Sequence, residues 1–136
     1  MILMKKRILV AEDDPSIRKA MKLRLEYEGF TVLVYQDGEE LLREAEKDPS
    51  WDLILLDVKM PRMNGYEACQ RLRTIGGLAG VPILIMSGTE SEVVHLADRC
   101  IEAGADDWIR KPFQTWELMS KIHRLMEKNK EAGDGG

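Results

Sequence analysis

Apolar residues recur along this chain in two alternating patterns. Short unbroken runs occur at Ile8-Leu9-Val10-Ala11, Thr31-Val32-Leu33-Val34-Tyr35, Leu53-Ile54-Leu55-Leu56, Ile83-Leu84-Ile85-Met86 and Trp108-Ile109-Arg110. Between them lie longer stretches in which apolar positions return every three or four residues. Consecutive apolar positions are expected of strands covered on both faces, and the spaced stretches of amphipathic helices. The pattern predicts strands at 7–11, 31–35, 52–56, 82–86 and about 108–110. Helices are predicted from 15 to the C-cap at Gly29, over 38–47, 66–74 and 90–103, and over about 114–129. The punctuation agrees: Asp14 is placed as an N-cap with Pro15 in the first helical position, and Asp37-Gly38 turns the chain into the second helix. Pro49, the glycines at 76, 77 and 80, and Gly104 stop the next three helices. The first helix carries Ile17, Ala20, Met21 and Leu25 on its core stripe, and the last carries Leu118, Ile122 and Leu125. Five strand–helix repeats with short connections imply an α/β fold: one parallel sheet, right-handed crossovers and helices on both faces.

Length narrows this to about one domain, since 136 residues are enough for a single core. The domain is expected over 1–129, with the polar, glycine-rich 130–136 disordered. A net charge of −4 argues against broad electrostatic binding to nucleic acid. No run approaches the roughly 20 apolar residues of a membrane span, and the apolar start is too short for a signal sequence. A cytoplasmic protein is expected. Cys69 and Cys100 fall inside helical patterns and read as reduced thiols.

The strand ends carry the chemistry. The first run stops at Glu12-Asp13-Asp14, the third at Asp57, the fourth at Ser87 and the fifth at Lys111-Pro112. Parallel strands bring their carboxyl ends to one sheet edge, where open α/β folds bind ligands. Glu12, Asp13 and Asp57 together form a hard-oxygen site suited to Mg²⁺, and Mn²⁺ can replace it. Asp57, an acid directly after four apolar residues and beside such an ion, is a candidate phosphoryl acceptor. Lys111 supplies a point charge for phosphate or carboxylate, and Ser87 a hydroxyl for the same oxygens.

On these residues the chain resembles the receiver domain of two-component response regulators. The likeness is carried by Val10-Ala11-Glu12-Asp13-Asp14-Pro15, by Leu56-Asp57-Val58-Lys59-Met60-Pro61-Arg62-Met63-Asn64-Gly65, by Met86-Ser87-Gly88, and by Ala103 to Phe113. It covers about residues 6–127. The resemblance implies a flavodoxin-like three-layer sandwich with strand order 2-1-3-4-5. It implies phosphoryl transfer to Asp57 from a histidine kinase or a histidine phosphotransfer protein. Asp13 and Asp57 would ligate the ion directly, Glu12 through water and Lys59 through its backbone carbonyl. Lys111 and Ser87 would grip phosphoryl oxygens, and Trp108 would be the aromatic switch partner of Ser87. Glu12 departs from the more usual aspartate, and Trp108 from the usual tyrosine or phenylalanine.

The resemblance implies a switch rather than an enzyme, acting on a downstream protein or output domain through the face of helix four, strand five and helix five. That face would also serve a dimer, and Trp116 with Trp108 would give it an aromatic patch. No contact with nucleic acid or membrane is expected. Lys59 could lean over the phosphoryl group and slow its hydrolysis. His95 and His123 read as surface residues, and the eight methionines as core filler. A haloacid-dehalogenase-type phosphatase is the alternative enzyme reading, but it needs an acid where Lys59 stands. A flavin carrier would meet repulsion from three acids. A pseudo-receiver that only docks would not need Asp13, Asp57, Ser87 and Lys111 together.

Overall fold

The computed structural model describes residues 4–88 and 94–134, with 128–134 described as backbone only. Five strands, β1 (Arg7–Ala11), β2 (Thr31–Tyr35), β3 (Leu53–Asp57), β4 (Ile83–Ser87) and β5 (Asp107–Arg110), form one sheet in the order β2-β1-β3-β4-β5. All four pairings are parallel. The helices are α1 (Pro15–Tyr27), α2 (Gly38–Lys47), α3 (Gly65–Leu72), α4 (Leu96–Ala103) and α5 (Thr115–Asp134).

Successive residues of a strand point to opposite faces, and here each face has its own core. Leu9, Ala11, Ile54, Leu56, Ile83 and Ile85 face the layer of α2, α3 and α4. Ile8, Val10, Leu53, Leu55, Leu84 and Met86 face α1 and α5, where Leu118, Ile122 and Leu125 close the core as their spacing predicts. The unbroken apolar runs are therefore explained: both faces are covered, and β3 and β4 are buried at every position.

The elements follow local signals. Asp14 caps α1, its carboxylate accepting from the amides of Ser16 and Ile17 at 2.8 and 3.1 Å. Asp37 and Asn64 cap α2 and α3 in the same way. Gly29 (φ +100°) and Gly104 (φ +88°) take left-handed conformations at the ends of α1 and α4, which glycine adopts without a Cβ penalty.

Four readings need correction. Ile17 and Ala20 do not face the core, because Met21 and Leu25 alone turn inward from α1; Ile17 instead reaches the carboxyl edge of the sheet. β3 and β4 each begin and end one residue later than expected, which makes Asp57 and Ser87 their last positions. Helix α4 begins at Leu96 after a turn at 94–95, while 90–93 of its expected span lie outside the described residues. The tail expected to be disordered from 130 continues α5 to Asp134, because Lys128, Lys130, Glu131 and Ala132 are good helix formers and Gly133 reaches only the last turn. Residues 135–136 lie outside the described residues.

One close approach sets the β3–α3 connection. Gly65 donates its amide to the carbonyl of Val58 at 2.9 Å, and a Cβ there would meet the Asp57 carbonyl oxygen at 2.4 Å. Gly65→Ala is expected to destabilise the fold by about 1–3 kcal/mol through overpacking. Gly80→Ala, where a Cβ meets nothing within 4 Å, should shift stability by less than about 0.5 kcal/mol. Urea denaturation of the two variants checks the contrast.

Candidate functional site

The sheet register assembles the site. Asp57 pairs with Met86, the residue before Ser87, and Ser87 pairs with Arg110, the residue before Lys111. The Lys111 amide donates to the Ser87 carbonyl at 2.7 Å, and the Glu12 amide to the Tyr35 carbonyl at 3.0 Å. Strands β1, β3, β4 and β5 thus end at one edge, around a cleft of about 270 Å³ lined by Glu12, Asp13, Asp57, Lys59, Gly88 and Lys111, among others.

Within the cleft, carboxylate oxygens of Glu12, Asp13 and Asp57 lie within 4.8 Å of one another. Glu12 is fully buried, Asp57 is nearly so, and Asp13 is exposed. The Lys111 ammonium is 3.1 Å from Asp57 Oδ1 and donates to Glu12 Oε1. The other oxygen of Glu12 accepts the Asp14 amide at 3.2 Å. Ser87 is buried at the end of β4, and Lys59 is exposed at the cleft wall. Trp108 is half-buried against the core on the α2–α4 side, whereas Trp116 on α5 is 71% exposed.

Burial, followed by the hydrogen bond and negative charge of Glu12, pushes the Asp57 carboxyl up to about 8, against the opposing pull of Lys111. Burial alone would lower the Lys111 ammonium, but Glu12 and Asp57 outweigh it and hold the proton on. Elsewhere, burial pushes the Cys69 and Cys100 thiols up to about 11 and about 12, so these free cysteines carry no thiolate chemistry at neutral pH. His95 and His123 are exposed, as expected.

Some contributors escape a reading by strand ends. Arg18 on α1 donates to the backbone carbonyls of Glu12 (2.8 Å) and Asp13 (3.3 Å), cinching the acidic loop from behind. Ile17, Gly88, Pro112 and Phe113 wall an apolar recess of about 320 Å³ beside Lys111. The only sequence signal for Ile17 was a helical stripe slightly wider than the core required.

A flavodoxin-like sandwich with carboxylates and a lysine converging at the carboxyl edge of its sheet defines an α/β switch-type fold with an acidic, phosphate-competent cleft. The family model of the response regulator receiver domain matches residues 8–123, and the chain belongs to that family. It is 37% identical to response regulator MprA of Mycobacterium ulcerans over 128 residues, covering 94% of this chain and 53% of that protein. With the MprA of Mycobacterium leprae the identity is 36% over 124 residues, or 91% and 52%. The chain spans about half the length of these curated relatives. Among solved structures, Vibrio cholerae chemotaxis protein CheY4 superposes with a TM-score of 0.83 at 30% identity, covering 90% of this chain and 99% of that one. The receiver domain of the Pseudomonas aeruginosa sensor histidine kinase PA1611 superposes at 0.81 and 29% identity, covering 91% and 99%; that structure has a magnesium ion coordinated in its active-site cleft. No helix among the described residues is long and apolar enough to cross a membrane.

The raised Asp57 makes a stability prediction. Unfolded, its carboxyl ionises near 3.8, and folded near 8. Between these values the folded state holds the extra proton, so stability falls as pH rises; the cost is absent below the lower value and complete above the upper. Asp57→Asn should therefore melt higher than the parent in chelator at pH 8, with the gain vanishing toward pH 4. Thermal melts across that range test the sign.

Proposed function

We propose that Asp57 accepts a phosphoryl group, from a histidine kinase or histidine phosphotransfer protein, at a divalent-cation site made by Asp13, Asp57, Glu12 and the Lys59 carbonyl. The observation that carries this is the three-carboxylate cluster, two of whose members, Glu12 and Asp57, contact one ammonium, Lys111, at the carboxyl edge of the sheet. The donor set is all oxygen and suits Mg²⁺, with Mn²⁺ as the substitute. When bound, the cation supplies the charge that keeps Asp57 ionised and neutralises the oxygens of the transferring group.

An ionised Asp57 oxygen attacks phosphorus: a P–O bond forms, and the P–N bond of the donor phosphohistidine breaks with its electron pair returning to the imidazole. Lys111, already 3.1 Å from that carboxylate, shifts its ammonium to a phosphoryl oxygen. Ser87 donates its hydroxyl to another, and Trp108 turns further inward as Ser87 moves. The face of α4, β5 and α5 is the proposed output and dimerisation surface, toward a protein target or an output domain. Receiver domains are signalling switches rather than classical enzymes, and any turnover here is proposed to be limited to self-phosphorylation and self-dephosphorylation. A phosphatase of the haloacid-dehalogenase type is disfavoured because Lys59 stands where its general acid is needed. The expectations of a cytoplasmic setting and of no direct nucleic-acid contact concern these 136 residues alone and rest on their net charge of −4 and soluble-type composition.

Incubation with Mg²⁺ and acetyl phosphate should add the mass of one phosphoryl group to the intact protein. Chelation should prevent this, and Asp57→Asn should abolish it; an unmodified wild-type mass would leave a docking module instead. Lys59, exposed at the cleft wall, is expected to shield the acyl phosphate from water. Lys59→Ala should shorten the half-life of the phosphoprotein severalfold, timed by loss of the added mass. An unchanged half-life would remove Lys59 from the mechanism.

A further inference from the structure

The loop that follows Asp57 is tied down by a residue remote from the acidic cluster. Asp37 is buried at the N-terminus of α2, and each of its carboxylate oxygens has a partner. Oδ1 accepts the Glu40 amide at 2.9 Å, capping the helix, and Oδ2 accepts from Arg62 Nη2 at 2.7 Å. Arg62 lies in the β3–α3 loop, and its backbone is left-handed at φ +68°. A side chain in that region is strained and persists where its surroundings over-determine it.

Those surroundings are visible. Met60 and Met63, flanking Arg62, are buried in the α2–α4 core. Met63 Sδ and Met60 Cε approach within 3.3 and 3.7 Å of where a Cβ of Gly38 would stand, so the helix start and the loop are in close contact. The Arg62 side chain is 60% exposed, and its guanidinium has Glu39 as a second, looser neighbour at 3.7 Å. An exposed arm is thus anchored on a carboxylate only 3% exposed. A surface ion pair contributes little to stability, but this one has a buried, doubly bonded acceptor, which gives it directional character.

We propose that Asp37 and Arg62 form a positioning pair for the cation site. By holding Arg62 in its left-handed conformation, Asp37 sets the path of residues 58–64, and so the direction of the Lys59 carbonyl at the wall of the cleft. This rests on the cation-site reading given above. The pair touches neither the ion nor the phosphoryl group; it acts through the loop backbone, as outer partners of metal sites do.

The test is a double-mutant cycle read by Mg²⁺ titration calorimetry on the folded protein. Arg62→Ala, Asp37→Asn (which keeps an oxygen for the Glu40 amide) and the double variant should each weaken Mg²⁺ binding by about tenfold, without adding. Arg62→Lys should recover most of the affinity. Arg62→Gly separates arm from backbone, because glycine takes the left-handed conformation freely: the proposal expects the same loss as with alanine. Amide hydrogen exchange of residues 59–64 without metal should quicken in all the weakened variants, while α2 stays protected in Arg62→Ala. Wild-type affinity in Arg62→Gly, or losses from Asp37→Asn and Arg62→Ala that simply add, would overturn the pair. If the wild-type protein itself bound no Mg²⁺, the cation-site reading would fall, and this inference with it.

Discussion

One ammonium stands between two buried carboxylates and cannot balance both. Two unit charges about 4 Å apart exchange about 4 kcal/mol at the effective dielectric near 20 that suits such sites. The pull of Lys111 on Asp57 and the push of Glu12 are thus of similar size and largely cancel. Burial then decides, and the Asp57 carboxyl is raised to about 8. With the third acid, Asp13, at the mouth, the cleft carries an unmet demand for positive charge. A cation meets that demand, and at neutral pH a proton is its competitor.

A site in such electrostatic debt has to be held by something that does not depend on it. The sheet does this. Its strands alternate between two apolar faces, each sealed by helices, and β3 and β4 are buried along their whole length. Parallel register then leaves no freedom in where the terminal residues lie: Asp57 and Ser87 close their strands, and Lys111 is tied by its own amide to the Ser87 carbonyl. Separating the acids would mean moving those strands apart and exposing apolar surface, at about 25 cal/mol per Å².

What could be read from sequence divides along the same line. Asp57 is legible because a carboxylate directly after four aliphatic residues has no structural reason to be there, and Lys111 because it closes the last apolar run before a proline. The layered cores follow from five alternating patterns, whereas the strand order is implied by the resemblance to receiver domains and not by the patterns themselves. Arg18 is not legible, since a basic residue on an amphipathic helix gives no sign that it serves two carbonyls of the preceding loop. Nor is the contact between Asp37 and Arg62, separated by 25 positions: Asp37-Gly38 announces only a helix start, and nothing in the local sequence requires an arginine to be left-handed. Ile17 was misread because a helical stripe specifies a face and not its width. The end of α5 is not legible because the polar, glycine-rich run after 129 offers no apolar stripe to mark a helix, while its lysine, glutamate and alanine still carry the helix to Asp134.

The uneven burial of the sheet also gives the proposed switch a direction. An acyl phosphate on Asp57 would carry nearly two negative charges in place of the carboxylate's one, in a cleft already short of positive charge, so Lys111 and Ser87 must rearrange around it. Glu12 is anchored on the α1 side, through the Asp14 amide and the Arg18 clasp on its carbonyl. Movement toward β1 therefore breaks several bonds. On the other side stands β5, short, paired on one side only and exposed or half-exposed at Asp107, Trp108 and Arg110. Its backbone is linked directly to the rearranging residues through the Lys111–Ser87 hydrogen bond. On the proposed reading, the displacement would run along β5 and carry Trp108 with it, because Trp108 is the one large side chain of that strand facing the α2–α4 core from a half-buried position. The proposed output face thus includes an edge strand, β5, two places across the sheet from β3, which carries Asp57.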